Sequence, residues 1–195
     1  MEIKKYNIYK FYLSFSSIIY IWCLPFLSKI GFAEKNSTSI SEFISNPQAT
    51  GALAAVSFLP IILINEYQDN YINENSIILN KSLLFFEIMY GLFLSCPVTY
   101  ASELIHELCV ICFGLSFIIH SYFILYHIQF NIITKFLLCL GSFGFFLLLC
   151  LDSSNLIYWF VECISFSCML LYTPIDWYLV LNKNNKYTDK PLLNI

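Results

Sequence analysis

The sequence predicts an all-α, polytopic integral membrane protein: a six-transmembrane-helix bundle with the N- and C-termini both cytoplasmic. Three observations predict it. The chain of 195 residues is 58% hydrophobic and 12% charged, whereas a soluble domain is about 45–50% apolar and about 25% charged. Its apolar residues gather into six runs, most of them near the ~20 residues a helix needs to cross the hydrocarbon core. Its lysines concentrate on one side of those runs once the runs are counted as spans.

The runs lie at about 11–31, 49–65, 82–99, 104–126, 133–151 and 156–180, within a single membrane domain covering 1–195. The second is short and holds Pro60, and the last is long enough to tilt or to end near Pro174. With the N-terminus cytoplasmic, Lys4, Lys5, Lys10, Lys81, Lys135, Lys183, Lys186 and Lys190 share the cytoplasmic side. Lys29 and Lys35 take the other. That bias requires the second run to span, because otherwise the two Lys-rich ends would be separated by the membrane. Asn36-Ser37-Thr38 then places a glycosylation acceptor, Asn36, in the luminal first loop, whereas Asn80-Lys81-Ser82 falls on the cytoplasmic side. The alternative for the first run is a cleaved signal peptide, with Lys4 and Lys5 as its basic region and Gly31-Phe32-Ala33 as its cleavage site. Tyr158, Trp159, Trp177 and Tyr178 sit near span borders, as interfacial anchors do.

Several function classes are excluded. A net charge of −3 with no arginine gives no basic surface for nucleic acid. The eight cysteines lie in or beside apolar runs, unlike a secreted disulfide framework, although Cys96 and Cys150 both fall at luminal helix ends where a bridge is open to them. Cys109-x-x-Cys112 lacks the loop cysteine pair that a membrane thiol oxidoreductase needs. Glu103-Leu104-Ile105-His106 occurs once, without the second copy and extra glutamates of a di-iron bundle. Position 110 is Val110, so the zinc-protease spacing fails too. His106 and His120 stand ~21 Å apart at 1.5 Å per residue and cannot share a metal. No catalytic, cofactor or metal residue is assigned.

Ionisable residues at membrane depth are the remaining signal, since each needs a partner or a wet cavity. The candidates are Glu87, His106, His120, Glu162 and Asp176. His106, Phe113, His120 and His127 recur every seven residues, which returns a helix to within ~20° of its starting direction. Glu162, Ser165, Met169, Thr173 and Asp176 form a second stripe on the last helix. The expectation is a polar seam between the fourth and sixth spans, pairing His106 with Glu162 and His120 with Glu87 or Asp176. Gly51 with Ala55, Gly91 with Ser95, and Gly141 with Gly144 mark expected close helix contacts. Interhelical hydrogen bonding accounts for such residues, and so does a functional pocket or proton path.

The layout resembles one family. Ser39-Ile40-Ser41-Glu42-Phe43-Ile44-Ser45-Asn46-Pro47 leads from a luminal loop into the second helix, His106 opens the fourth, and Glu162 and Asp176 mark the last. This is similar to the six-span family of the damage-regulated autophagy modulators and the Golgi factor for lipid remodelling of GPI anchors. The resemblance implies a non-enzymatic factor of an endomembrane or the plasma membrane, acting in lipid homeostasis, trafficking or autophagy. Its implied partners are membrane lipids and other membrane proteins, and it carries over no catalytic residue. The alternatives from the residues themselves are a small proton-coupled carrier with a Glu/His/Asp path, and an intramembrane lipid hydrolase built on Ser, His and an acid.

Overall fold

The computed structural model describes residues 8–71, 77–96, 103–128, 130–151 and 156–188. Among these, seven helices and no strand occur: α1 (Ile8–Lys29), α2 (Ile40–Phe43), α3 (Pro47–Tyr71), α4 (Ile77–Ser95), α5 (Glu103–His127), α6 (Ile132–Leu148) and α7 (Leu156–Thr188). Residues 97–99 of the expected third span, with Lys4, Lys5 and Lys190, lie outside the described residues. Four helices are long and apolar enough to cross a membrane, at Pro47–Asn65, Ile77–Ser95, Leu104–His127 and Ile157–Leu179. Their outward faces carry exposed Phe58, Leu84, Ile88, Leu115, Ile119 and Phe160. Such a surface belongs to a protein solvated by lipid.

Local chemistry sets the helix boundaries. α1 stops at Gly31, whose φ of +81° admits the left-handed cap. The Phe32 and Gly31 amides donate to the Leu27 and Ser28 carbonyls at 2.9 and 3.1 Å, the pair of bonds that closes such a cap. α3 starts with Asn46, whose Oδ1 accepts the Ala49 amide at 2.8 Å, followed by Pro47, which has no N–H to leave orphaned. Asn131 starts α6 in the same way, accepting from Ile133 at 3.0 Å. α3 and α7 run through Pro60 and Pro174, so the last helix continues to Thr188 rather than ending near Pro174. α4 begins five residues earlier than the apolar run, at Ile77.

α7 is the central helix. In its apolar window 61% is buried, against 33–39% in the other three. It packs on α6, α1 and α3, while α5 packs chiefly on α4. Its window is also the least apolar of the four. A helix surrounded by protein can carry Glu162, Ser165, Thr173 and Asp176, all of them buried, because its neighbours supply partners that lipid cannot. Gly141 and Gly144 let α6 approach α7: a Cβ at Gly144 would stand 2.1 Å from Ser165 Oγ, and one at Gly141 3.1 Å from Cys168 Cβ.

This arrangement corrects the expected seam. The polar stripe of α7 meets α6 and the α2 loop, because the glycines bring α6 between it and much of α5. Helices α5 and α7 meet through large side chains, such as the Phe113 and Phe166 rings at 5.4 Å and His120 with Tyr172. Gly51 and Gly91 are exposed, with nothing near a Cβ, so those two sites are not helix contacts. Trp159 and Trp177 are buried rather than anchored at an interface; Trp159 packs edge-on against Trp22, 5.7 Å away.

Candidate functional site

The loop between α1 and α3 folds back onto the bundle. Ser39 starts α2, its hydroxyl accepting the Glu42 amide at 3.2 Å. The Glu42 carboxylate reaches back to the Thr38 amide at 2.6 Å and the Thr38 hydroxyl at 3.2 Å. This is a capping-box arrangement, Ser-x-x-Glu. It orients α2 so that Ile40, Phe43 and Ile44 are buried. The Ile40 amide then points at α7 and donates to Glu162 Oε2 at 2.6 Å. Exposed Asn36 forms the turn before this segment, at φ +58°, a conformation that asparagine tolerates.

Beneath α2 lies a cavity of about 310 Å³ between α5, α6 and α7. One end is polar: Ser39, Ser41 and Glu42 from the loop, His106 and Glu107 from α5, and Tyr158 and Glu162 from α7. The other end is apolar, walled by Phe113, Leu115 and Ile118 of α5 and by Phe145 and Leu148 of α6. It reaches the exterior beside α5 and α6, where Ile111, Leu115 and Leu149 are exposed. Thus His106 and Glu162 share one chamber, but they do not bond each other. His106 Nδ1 bonds the Cys96 carbonyl, and its buried Nε2 has no hydrogen-bond partner among the described residues. The side chain of Glu103 is outside those described.

The other three candidates are dispersed. His120, fully buried, stacks on Phe86 with ring centroids 5.9 Å apart and bonds Ser82 and Tyr172. These are its partners, in place of the expected Glu87 or Asp176. The Ser82 hydroxyl lies 2.9 Å from the Leu79 carbonyl and 3.1 Å from His120 Nδ1, and the Tyr172 hydroxyl lies 3.4 Å from Nε2. The Leu79 carbonyl competes with His120 for the single Ser82 hydroxyl proton, which an activated nucleophile needs aimed at the histidine. Glu87 is held by Asn65 of α3. Asp176 accepts the Thr134 hydroxyl at 2.7 Å and the Asn131 amide at 3.3 Å, placing a carboxylate at the N-terminus of α6.

No family model, curated protein or solved structure matches this chain. The site rests on its own geometry.

Reasoning from the sequence singled out His106 and Glu162 and missed Ser39, Ser41, Glu42 and Tyr158 as their companions. A signal for the loop was present in Ser39-Ile40-Ser41-Glu42, a capping-box pattern followed by the Phe43-Ile44 pair. Tyr158 carried none, because its position by α2 depends on how the loop folds. Among the described residues, no group of three His, Cys, Asp or Glu side chains is arranged to hold a metal ion. All eight cysteines, Cys96 and Cys150 included, are free thiols.

Proposed function

We propose that this protein is a six-span membrane factor, both ends cytoplasmic, that acts in lipid homeostasis or trafficking by holding a membrane lipid in the α5–α6–α7 pocket. The observation that carries this reading is the pocket's two-part lining, polar under α2 and apolar where it meets the exterior. An amphiphile lying in the bilayer matches that polarity: its head group exchanges water for fixed polar partners, and its chain stays in apolar surroundings. The resemblance to the six-span autophagy-modulator and GPI-remodelling family points the same way. On that resemblance, the membrane in which it acts is an endomembrane or the plasma membrane.

A proton-coupled carrier is the second reading, and the dispersed carboxylates argue against it. Glu87, Glu162 and Asp176 each have a separate hydrogen-bonded partner. Glu162 and Asp176 are also ~21 Å apart along α7 at 1.5 Å per residue. An intramembrane hydrolase is disfavoured because Glu87 and Asp176, the acids expected to serve His120, are bonded to Asn65 and Thr134 instead, while the imidazole contacts Ser82 and Tyr172.

The test is lipid retention. Protein purified in mild detergent is expected to carry a bound lipid that organic extraction releases. Ile118→Trp, which fills the apolar wall, is expected to abolish it. Cells deprived of the protein should show an altered lipid profile that the wild type restores and Ile118→Trp does not. Wild-type protein free of lipid, with an unchanged cellular profile, would sink the reading.

A further inference from the structure

The polar end of the pocket sets three carboxyl groups and an imidazole beside the hydroxyls of Ser39, Ser41 and Tyr158. A backbone carbonyl only accepts, so the bond between Cys96 O and His106 Nδ1 puts a proton on Nδ1. In the neutral ring, Nε2 is then a lone pair. It belongs to a side chain only 6% exposed, and among the described residues it has no donor. Three carboxylates, Glu42, Glu107 and Glu162, stand close enough to Tyr158 to act on it electrostatically. All three line the cavity together with His106, and none of the described lining residues is a lysine. An unsatisfied buried acceptor among acidic groups calls for a ligand that brings N–H donors and positive charge.

We propose that the pocket selects a long-chain primary amine, a lipid whose head group is a free ammonium with no phosphate. The ammonium offers three N–H donors, one to His106 Nε2 and the others to the carboxylates of Glu162 and Glu107. A phosphate head group would instead meet acidic side chains, with no lysine among the described lining residues to offset it. The chain leaves through the apolar wall at Ile111, Leu115 and Leu149. At about 310 Å³ the cavity lies at the small end of ligand pockets, which run from about 300 to 1,000 Å³. A compact head with the first part of one chain suits it better than a bulky phospholipid head. This rests on the lipid-pocket reading, and it adds the charge and hydrogen-bonding character of the head.

The experiment uses the full chain in phosphatidylcholine nanodiscs, with binding followed by native mass spectrometry. The probes are sphingosine, its N-acetyl derivative, phosphatidylethanolamine and free ethanolamine. The expected result is that sphingosine binds at least about tenfold more tightly than the neutral N-acetyl derivative, the scale of a charge-assisted hydrogen bond. Glu107→Gln and Glu162→Gln should each erode that preference. Glu107 is exposed, so its variant keeps the test valid if Glu162→Gln fails to fold. His106→Asn retains a donor toward Cys96 and removes the Nε2 lone pair, and it should lower sphingosine binding without affecting the N-acetyl derivative. Equal binding of the amine and its N-acetyl form overturns the cationic head group while leaving a lipid pocket in place. Preference for phosphatidylethanolamine overturns the exclusion of phosphate. Ethanolamine binding as tightly as sphingosine overturns the role of the chain. Failure of every lipid overturns this inference and the lipid-pocket reading together.

Discussion

Glu162 Oε2 accepts the backbone N–H of Ile40 at 2.6 Å, joining the centre of the bundle to a loop 122 residues earlier in the chain. The residue that most needs a partner at depth thus finds it in the first residue of α2. The loop becomes the roof of the pocket.

Removing that acceptor should free the roof. Glu162→Ala leaves the buried Ile40 amide unsatisfied, which costs about 1–3 kcal/mol. Hydrogen exchange should show lost protection over residues 38–46, with α4 and α5 unchanged. Glu162→Gln keeps an amide oxygen that can accept, so it should retain most of the protection. Equal loss in both variants would mean that the charge, rather than the hydrogen bond, holds the loop.

Asp176 and Thr134 make the corresponding tie at the other end of α7. Thr134→Val removes the 2.7 Å hydroxyl donor and Asp176→Asn weakens the interaction with the start of α6. Each should lower the thermal midpoint in detergent. A double-mutant cycle should give a coupling of about 0.5–3 kcal/mol between them. A coupling near zero would show that the two contribute separately.

Gly144→Leu should be among the most damaging single changes in the bundle. Any Cβ at this site meets Ser165 Oγ at 2.1 Å, and Ser165 is itself bonded to the Val161 carbonyl. Forcing α6 away from α7 should cost at least about 1–3 kcal/mol. Gly91→Leu, on an exposed position with open space around it, serves as the control and should leave the melting temperature nearly unchanged.

Asn36 reports the sidedness of the bundle. It is exposed, in a turn at the end of the molecule that holds the pocket. Expressed in a glycosylating cell, the protein should lose one N-glycan on enzymatic deglycosylation, and Asn36→Gln should lose it without treatment. Asn80→Gln should change nothing, because that site is expected on the cytoplasmic side. Glycan on Asn80 would invert the proposed topology.

Composition and periodicity determined that this is a helical membrane protein and where the long helices lie, with ends that differ by up to eight residues. A chain with so little charge has only lipid to face, and each helix must satisfy its own backbone. The seven-residue line on α5 was legible in the same way: His106, Phe113 and His120 are all buried, and only His127, past the end of that face, is exposed. The partners of those residues were not legible. Spacing along one helix gives a direction but no neighbour, and the neighbour of α7 was decided by Gly141 and Gly144 drawing α6 in. Glu162 was visible as a buried acid, but Ile40 as its partner was not, since that bond is made by a backbone amide that any residue carries. The pocket belongs wholly to the tertiary structure. It exists because α2 folds over the gap between three helices, bringing Ser39 and Glu42 to His106 and Tyr158 from distant parts of the chain.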